Sequence, residues 1–298
     1  MDALYVAVNI ILFLAIAPLF EGVIRKITAR VQSRQGPPVI QPYFDILKLL
    51  GKQDIHAGNA AFRVAPMIAF ASIIGVIAFF PFGHRANLLT RYADIITVIY
   101  LLTLGGVAVM LGAASSRNTY ALIGTSREMI TMIMVEPVLA MTFIMGAVRS
   151  GSLGIGESVA GVAGGYGWSF ALMAVAYLAA LQAFVGRQPF DIAEAEVEIL
   201  EGPFIEYSGP SYALFRYYLM LKQMFYAALF IAVFVPPLST GYYVADIAIQ
   251  IVLVFAVFIF ISLIGSTNPR LRIDQAQKVY AVLVLIALVA VGLSASGI

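Results

Sequence analysis

Between two long apolar runs, the segment from Asp191 to Glu201 carries five carboxylates in eleven residues: Asp191, Glu194, Glu196, Glu198 and Glu201. Acids kept beside hydrocarbon are costly and mark proton or ion routes. If the segment is helical, each residue advances about 100°, so Asp191, Glu194, Glu198 and Glu201 share one stripe. Glu196 then projects from the other side, among Ile192, Ala193, Ile199 and Leu200. Desolvation there raises a carboxylate's pKa, the property a proton carrier needs. Glu206 follows a few residues later.

Two further ionisable groups stand inside apolar runs: Glu136, followed directly by Pro137, and Lys222, with Arg216 nearer the start of the same run. At the membrane centre such a group costs about 2.5 to 3.5 kcal/mol on insertion scales, so each calls for a partner or a use. Pro137 adds to this, because a proline inside a span frees backbone carbonyls for water or a side chain. The plainer alternatives are charge pairing between helices for Glu136 and Lys222, and snorkelling to the interface for Arg216.

The elements that must hold these groups are membrane spans. With 61% hydrophobic and 11% charged residues, the composition excludes a soluble domain, whose charged fraction is about 25%. Eight apolar stretches, roughly 4–24, 64–82, 92–114, 129–148, 168–185, 211–236, 243–266 and 275–296, each approach the ~20 residues needed to cross ~30 Å of hydrocarbon. They do not alternate in polarity as barrel strands do. The expected fold is an all-α integral membrane protein forming a single polytopic domain over residues 1–298.

The first run has no basic leader and is followed by Arg25 and Lys26, so it reads as a retained span. Basic residues fall 13 to one side and three (Arg85, Arg91 and Arg149) to the other. The richer side is expected to be cytoplasmic, with both termini outside. The acidic segment between spans five and six is then a cytoplasmic loop. The glycine-rich stretch 151–167 reads as a flexible outer loop.

Between spans one and two, Pro42 opens and Gly51 closes a short amphipathic segment. Tyr43, Phe44, Ile46, Leu47 and Leu50 form one face, while Asp45, Lys48 and Lys52 recur on the other. It is too short to span and should lie along the cytoplasmic membrane surface. Glu21 and Arg25 are spaced to pair on a helix. Arg25, Lys26, Arg30 and Arg34 make a basic patch that suits the positive-inside bias, or docking of a peripheral protein or lipid headgroup. Nucleic acid is a poor match for it.

The chain has no cysteine, which excludes thiolate-held iron-sulfur clusters and a thiolate-ligated nickel-iron centre within it. His56 and His84 fall on opposite sides of the membrane and form no metal pair. No metal or other cofactor is expected in this chain.

These residues resemble the subunit 1, or H-type, membrane proteins of respiratory complex I and their relatives in energy-converting membrane-bound nickel-iron hydrogenases. One matching string is Arg187-Gln188-Pro189-Phe190-Asp191 with Glu194-Ala195-Glu196, Glu201-Gly202 and Glu206-Tyr207-Ser208-Gly209. A second is Arg30-Val31-Gln32-Ser33-Arg34-Gln35-Gly36-Pro37, with Gln41-Pro42 and Asp45-Ile46-Leu47-Lys48 following. Ile24 stands where quinone-reducing members carry Glu, and the Gly-Pro to Gln-Pro spacing is short. Together with Thr125-Ser126-Arg127-Glu128, these departures look like the hydrogenase branch, including the membrane subunit of formate hydrogenlyase.

The resemblance implies a non-redox subunit of a ferredoxin-linked, ion-translocating oxidoreductase in the cell inner membrane. Hydrogenase large and small subunits, bearing the nickel-iron centre and iron-sulfur clusters, would dock on its cytoplasmic face, beside antiporter-like membrane subunits. Asp191, Glu194, Glu196, Glu198, Glu201, Glu206, Arg216, Lys222 and Glu136 would form a charged route. Arg25, Arg30, Arg34, Asp45, Lys48 and Arg187 would border the docking interface and its cavity. The alternatives are a quinone-site subunit of a complex I type enzyme, a stand-alone secondary transporter, which the lack of an inverted repeat disfavours, and a purely structural anchor.

Overall fold

The computed structural model describes residues 2–55, 59–82, 89–90, 92–163, 167–235 and 242–297, without the side chains of Asp2, Ala3, Ala163, Glu196 and Val197. His56, His84, Arg85, Arg91 and the Glu196 side chain therefore lie outside the described residues. Among the described residues, eight helices are long and apolar enough to cross a membrane: α1 (Asp2–Val31), α3 (Ala60–Phe79), α4 (Ile95–Ser115), α5 (Thr119–Ser150), α7 (Trp168–Val185), α9 (Gly209–Phe234), α10 (Tyr243–Thr267) and α11 (Ile273–Ala295). Three short helices join them: α2 (Gln41–Leu50), α6 (Ile155–Ala163) and α8 (Glu196–Ile199).

The hydropathy pattern marks where hydrocarbon ends, and helices run past it. α1 has 30 residues and α5 has 32; at 1.5 Å per residue each is about 45 to 48 Å long, well beyond a ~30 Å core. Their extra turns carry Arg25 to Arg30 and Thr119 to Glu128 as helix. α9 is the central pillar, with 72% of its span buried against 28% for α11, which packs on α5 and α7 at the edge.

Prolines inside the spans tie helices together. Pro18 has no N–H to offer the Leu14 carbonyl one turn back. The Tyr217 hydroxyl of α9 donates to that carbonyl instead. Pro66 likewise leaves the Phe62 carbonyl without its helical donor, and Tyr207 donates to it at 3.2 Å. The Tyr207 ring stacks on Phe62 with centroids 4.0 Å apart, and its hydroxyl sits where a Cβ on Gly112 would intrude.

Two expectations are corrected. Residues 151–167 are not simply a flexible loop, because Ile155–Ala163 forms α6. Ile155, Val159 and Val162 recur at helical spacing and are buried, and Gly161 with Gly146 of α5 lets the two backbones touch. A Cβ on Gly146 of α5 would stand 2.1 Å from the Ser158 carbonyl oxygen. Nor is Asp191 to Glu201 one helix, since only Glu196–Ile199 is helical. Tertiary bonds take the rest: Leu271 N–H donates to the Pro189 carbonyl at 3.0 Å, and Arg270 pairs with Asp191 at 2.7 Å. The stripe shared by Asp191, Glu194, Glu198 and Glu201 does not form.

Where the surface helix was expected, α2 forms with Pro42 in its first turn. Pro42 and Ile46 are buried against the bundle, while Phe44, Leu47 and Leu50 are exposed.

Candidate functional site: a charged chamber

α7 stops at Gly186, which takes the left-handed conformation (φ 65°) that glycine adopts without strain. The chain then folds over the ends of α1, α5, α9 and α10 and encloses a chamber of about 530 Å³. Its charged walls are Glu21 and Arg25 of α1, Arg34, Glu128 of α5, Arg187, Asp191 and Glu194 of the loop, and Arg216 and Lys222 of α9.

Glu21 anchors the inner wall. It is 3% exposed and accepts hydrogen bonds from Arg25 Nε, at 3.2 Å, and from Arg187. Arg25 continues to Asp45 of α2 at 2.9 Å, and Gln41 donates to the other Asp45 oxygen at 3.0 Å. Burial raises the Asp45 pKa, but the Gln41 hydrogen bond and the Arg25 guanidinium outweigh it and hold the carboxyl below its usual value. One ion-pair chain thus joins the surface helix, α1 and the start of the acidic loop. Arg187 also reaches Gln223 of α9 at 3.4 Å.

Glu194 has a different setting. It is half-buried in the loop wall, and desolvation lifts its pKa to about 7, opposed by Arg216 and reinforced by Asp191 and Glu128. A group with this pKa changes charge near neutral pH. Between its ordinary 4.5 and about 7 the folded protein holds a proton that the unfolded chain has lost. Glu194 therefore favours folding less as pH rises through that window. We expect Glu194→Gln to flatten the pH dependence of coupled turnover within about one unit of pH 7. Rates of the variant and the wild type measured across that range check this; parallel pH profiles would contradict it.

Of the residues expected to carry the route, Asp191, Glu194, Arg216 and Lys222 meet in the chamber, with Arg25, Arg34 and Arg187 of the border set. Lys222 is near the middle of α9 and interacts electrostatically with Glu128 and with Glu136, which is half-buried deeper along α5. Glu198, Glu201 and Glu206 do not line the chamber. Glu198 is exposed and pairs with Arg127, Glu201 accepts from Tyr212 at 3.1 Å, and Glu206 accepts from Asn118. These three pin the loop to α5 and α9. Arg30 and Lys48 are exposed and do not line the chamber.

The motif around Tyr207 also ties the loop to the start of α9 and to residues 53–55. Ile55 N–H donates to Ser208 at 3.0 Å, Ser211 donates to Asp54 at 2.6 Å, and Gly209 (φ +52°) lies against the Gln53 carbonyl. Sequence reasoning gave Glu21 only a helical neighbour and Glu128 no chemical role, yet both line the chamber. Glu128 stands beside Arg127 in sequence, which reads as surface charge until the length of α5 is known. Among the described residues, no group of three His, Cys, Asp or Glu is placed to hold a metal ion.

Fold and site define a polytopic membrane subunit with a buried chamber of mixed charge under one end of its bundle. Residues 4–295 match the NADH dehydrogenase family, and the chain belongs to it. It is 30% identical to formate hydrogenlyase subunit 4 of Escherichia coli K12 over 94% of both chains. It is 34% identical to hydrogenase-4 component C of the same organism, over 88% of this chain and 86% of that one. The H-type subunit of NADH-quinone oxidoreductase from Brevibacillus brevis is 32% identical over 89% of this chain and 82% of its own. Among solved structures, a chain of the membrane-bound sulfane sulfur reductase, an archaeal respiratory membrane complex, superposes with a TM-score of 0.86 at 30% identity, over 98% of this chain and 99% of that one. Both branches expected from the sequence motifs, hydrogenase and complex I, are represented.

Proposed function

We propose that this chain is the membrane anchor and coupling subunit of an ion-translocating, membrane-bound nickel-iron hydrogenase. The observation that carries the reading is the chamber itself. Glu194 lies at its loop wall, and Lys222 links the space electrostatically to Glu136 inside the bundle. The two Escherichia coli relatives supply the hydrogenase assignment. In this reading the chamber end faces the cytoplasm, where the large and small hydrogenase subunits dock with their metal centres and ferredoxin supplies electrons. Antiporter-like membrane subunits flank the bundle.

The physical link needs no cofactor in this chain. A change of charge at a docked redox centre alters the potential in the chamber, where the effective dielectric is low. A carboxylate with a pKa near 7 responds by taking up or releasing a proton, and each pKa unit corresponds to about 1.36 kcal/mol. Purification of the tagged chain from native membranes tests the assignment. Recovery of a nickel-iron hydrogenase pair supports it. Recovery of a quinone-reducing set supports the second reading, a quinone-site subunit, which the NADH-quinone oxidoreductase relatives favour.

Arg30 and Arg34 are exposed, and Arg34 lines the same space as Asp191 and Glu194. Neutralising both arginines should weaken retention of the peripheral subunits most at low salt, with the gap to the wild type closing as salt rises, because exposed charges are screened over ~8 Å at physiological ionic strength. Washing membranes at graded salt and assaying the released hydrogenase gives the answer. Equal retention by the variant and the wild type at every salt concentration would count against this docking face.

A further inference from the structure

At the end of the bundle away from the chamber, one arginine has partners of a different kind. Arg25, Arg127, Arg187 and Arg270 each meet a carboxylate. Arg149, in the last turn of α5, meets two serines instead: its Nε donates to Ser294 of α11 at 3.0 Å and its Nη2 to Ser169 of α7 at 2.8 Å. Both serines are buried. Among the described residues no acid lies within ion-pair distance of this guanidinium, yet the two bonds fix it in one orientation where three helix ends meet. We infer that Arg149 seats the phosphodiester of a phospholipid in the leaflet away from the chamber.

A guanidinium carries five N–H donors in a rigid fork. The serines take Nε and one donor of Nη2, so the end formed by Nη1 and the second Nη2 donor has no partner among the described residues. That end matches two oxygens of a phosphate, and Arg149 is only half-buried. Depth agrees. Arg149 lies 21 residues beyond Glu128 of the chamber wall, about 30 Å along α5, which is one hydrocarbon thickness and brings it to the level of the opposite headgroups. Trp168, beside Ser169 and largely exposed, has the place of an interfacial aromatic. Ile144 of α5 and Val289 of α11, within two turns of Arg149 and Ser294, expose apolar side chains that acyl chains cover. Ser169 is the second residue of α7, whose N-terminus favours an anion and is preceded by Gly167, with no side chain to cap it.

The C-terminal ends of α5 and α11 favour a cation by themselves, so the experiment must separate a lipid seat from a bolt that holds nothing. Trp168 is the only tryptophan of the chain and serves as the reporter. The purified full chain, in non-ionic detergent micelles, is titrated with phosphatidylglycerol bearing a nitroxide near the top of one acyl chain. The same nitroxide on a diacylglycerol, which lacks the phosphate, is the control. Nothing in the test depends on the coupling role proposed above.

We expect the phospholipid to quench Trp168 saturably in the wild type, and Arg149→Gln to raise the half-saturating mole fraction about tenfold, the loss typical of a charge-assisted hydrogen bond. Arg149→Lys keeps the charge but not the fork and should raise it about threefold. It decides the matter alone if Arg149→Gln does not fold. The labelled diacylglycerol should quench without saturation and equally in all three proteins. Equal half-saturation by the phospholipid in the wild type and both variants overturns the seat and leaves the bolt. Full relief of quenching by excess inorganic phosphate overturns it too, as the mark of a free-phosphate site. In the assembled complex, native mass spectrometry should find one phospholipid fewer with Arg149→Gln than with the wild type. An equal number there means that a partner subunit or no ligand meets Arg149, against the inference.

Discussion

Glu136→Gln should leave the complex assembled and its hydrogen formation intact in ionophore-treated vesicles, while ion uptake per hydrogen formed falls about a hundredfold. Glutamine keeps the shape and most of the hydrogen-bonding capacity of the side chain but cannot change charge, and losing a proton-transferring group typically costs a factor of 10² to 10⁴. The group is half-buried in a membrane helix and feels Lys222, so its charge state is tied to the chamber. Because no ion pair holds Glu136 within contact distance among the described residues, the substitution breaks no bridge on which the bundle depends. Full coupling in this variant, measured by uptake in vesicles against hydrogen evolved, would remove Glu136 from the route.

Glu21→Ala should act on assembly instead. Glu21 is nearly inaccessible, and both Arg25 and Arg187 place a guanidinium on it. Removing one partner of a buried pair leaves uncompensated charge and costs about 3 to 5 kcal/mol. Here Arg187 loses its carboxylate, Arg25 is left with Asp45, and the chain from α2 through α1 to the acidic loop loses its middle link. Loss of the folded, detergent-extractable subunit is the expected result, with Glu21→Gln milder because it still accepts hydrogen bonds. Thermal unfolding of the purified subunit or complex measures it; a Glu21→Ala protein as stable as the wild type would show that the cluster is not what holds the loop.

Most of the architecture was legible because hydrocarbon imposes a length and a polarity on every span. That signal placed α3, α4, α7, α9, α10 and α11 and the amphipathic α2. It could not place helix ends that project into water, since Arg25 to Arg30 and Thr119 to Glu128 are polar yet remain helical on α1 and α5. It also misread two polar or glycine-rich segments. In 151–167 the number of glycines outweighed the spacing of Ile155, Val159 and Val162, although one of them, Gly161, lets α6 approach α5. In 191–201 local helical reasoning could not anticipate Arg270 and Arg127, which reach the acids from distant elements and hold them out of one stripe.

The same limit applies to the site. Residue type singled out Glu194, Arg216 and Lys222, because ionisable groups at such positions stand out against an apolar background. Which acids face inward depends on tertiary partners, so Glu198, Glu201 and Glu206 could not be told from Asp191 and Glu194 by spacing. Glu21 and Glu128 sat next to basic residues in a helical register and looked satisfied. The proline and tyrosine pairs were also hidden. Pro18 and Tyr217, like Pro66 and Tyr207, are far apart in sequence and meet only after the bundle forms.

The claim that chamber and membrane interior act as one charged unit is tested most directly at Lys222, which borders the chamber and interacts with Glu128 and Glu136. Ion uptake per hydrogen formed is to be measured in vesicles holding the complex with Lys222→Gln or with the wild-type chain. Uptake should fall to background in the variant while ionophore-treated vesicles still form hydrogen, and unchanged uptake per hydrogen would contradict the account.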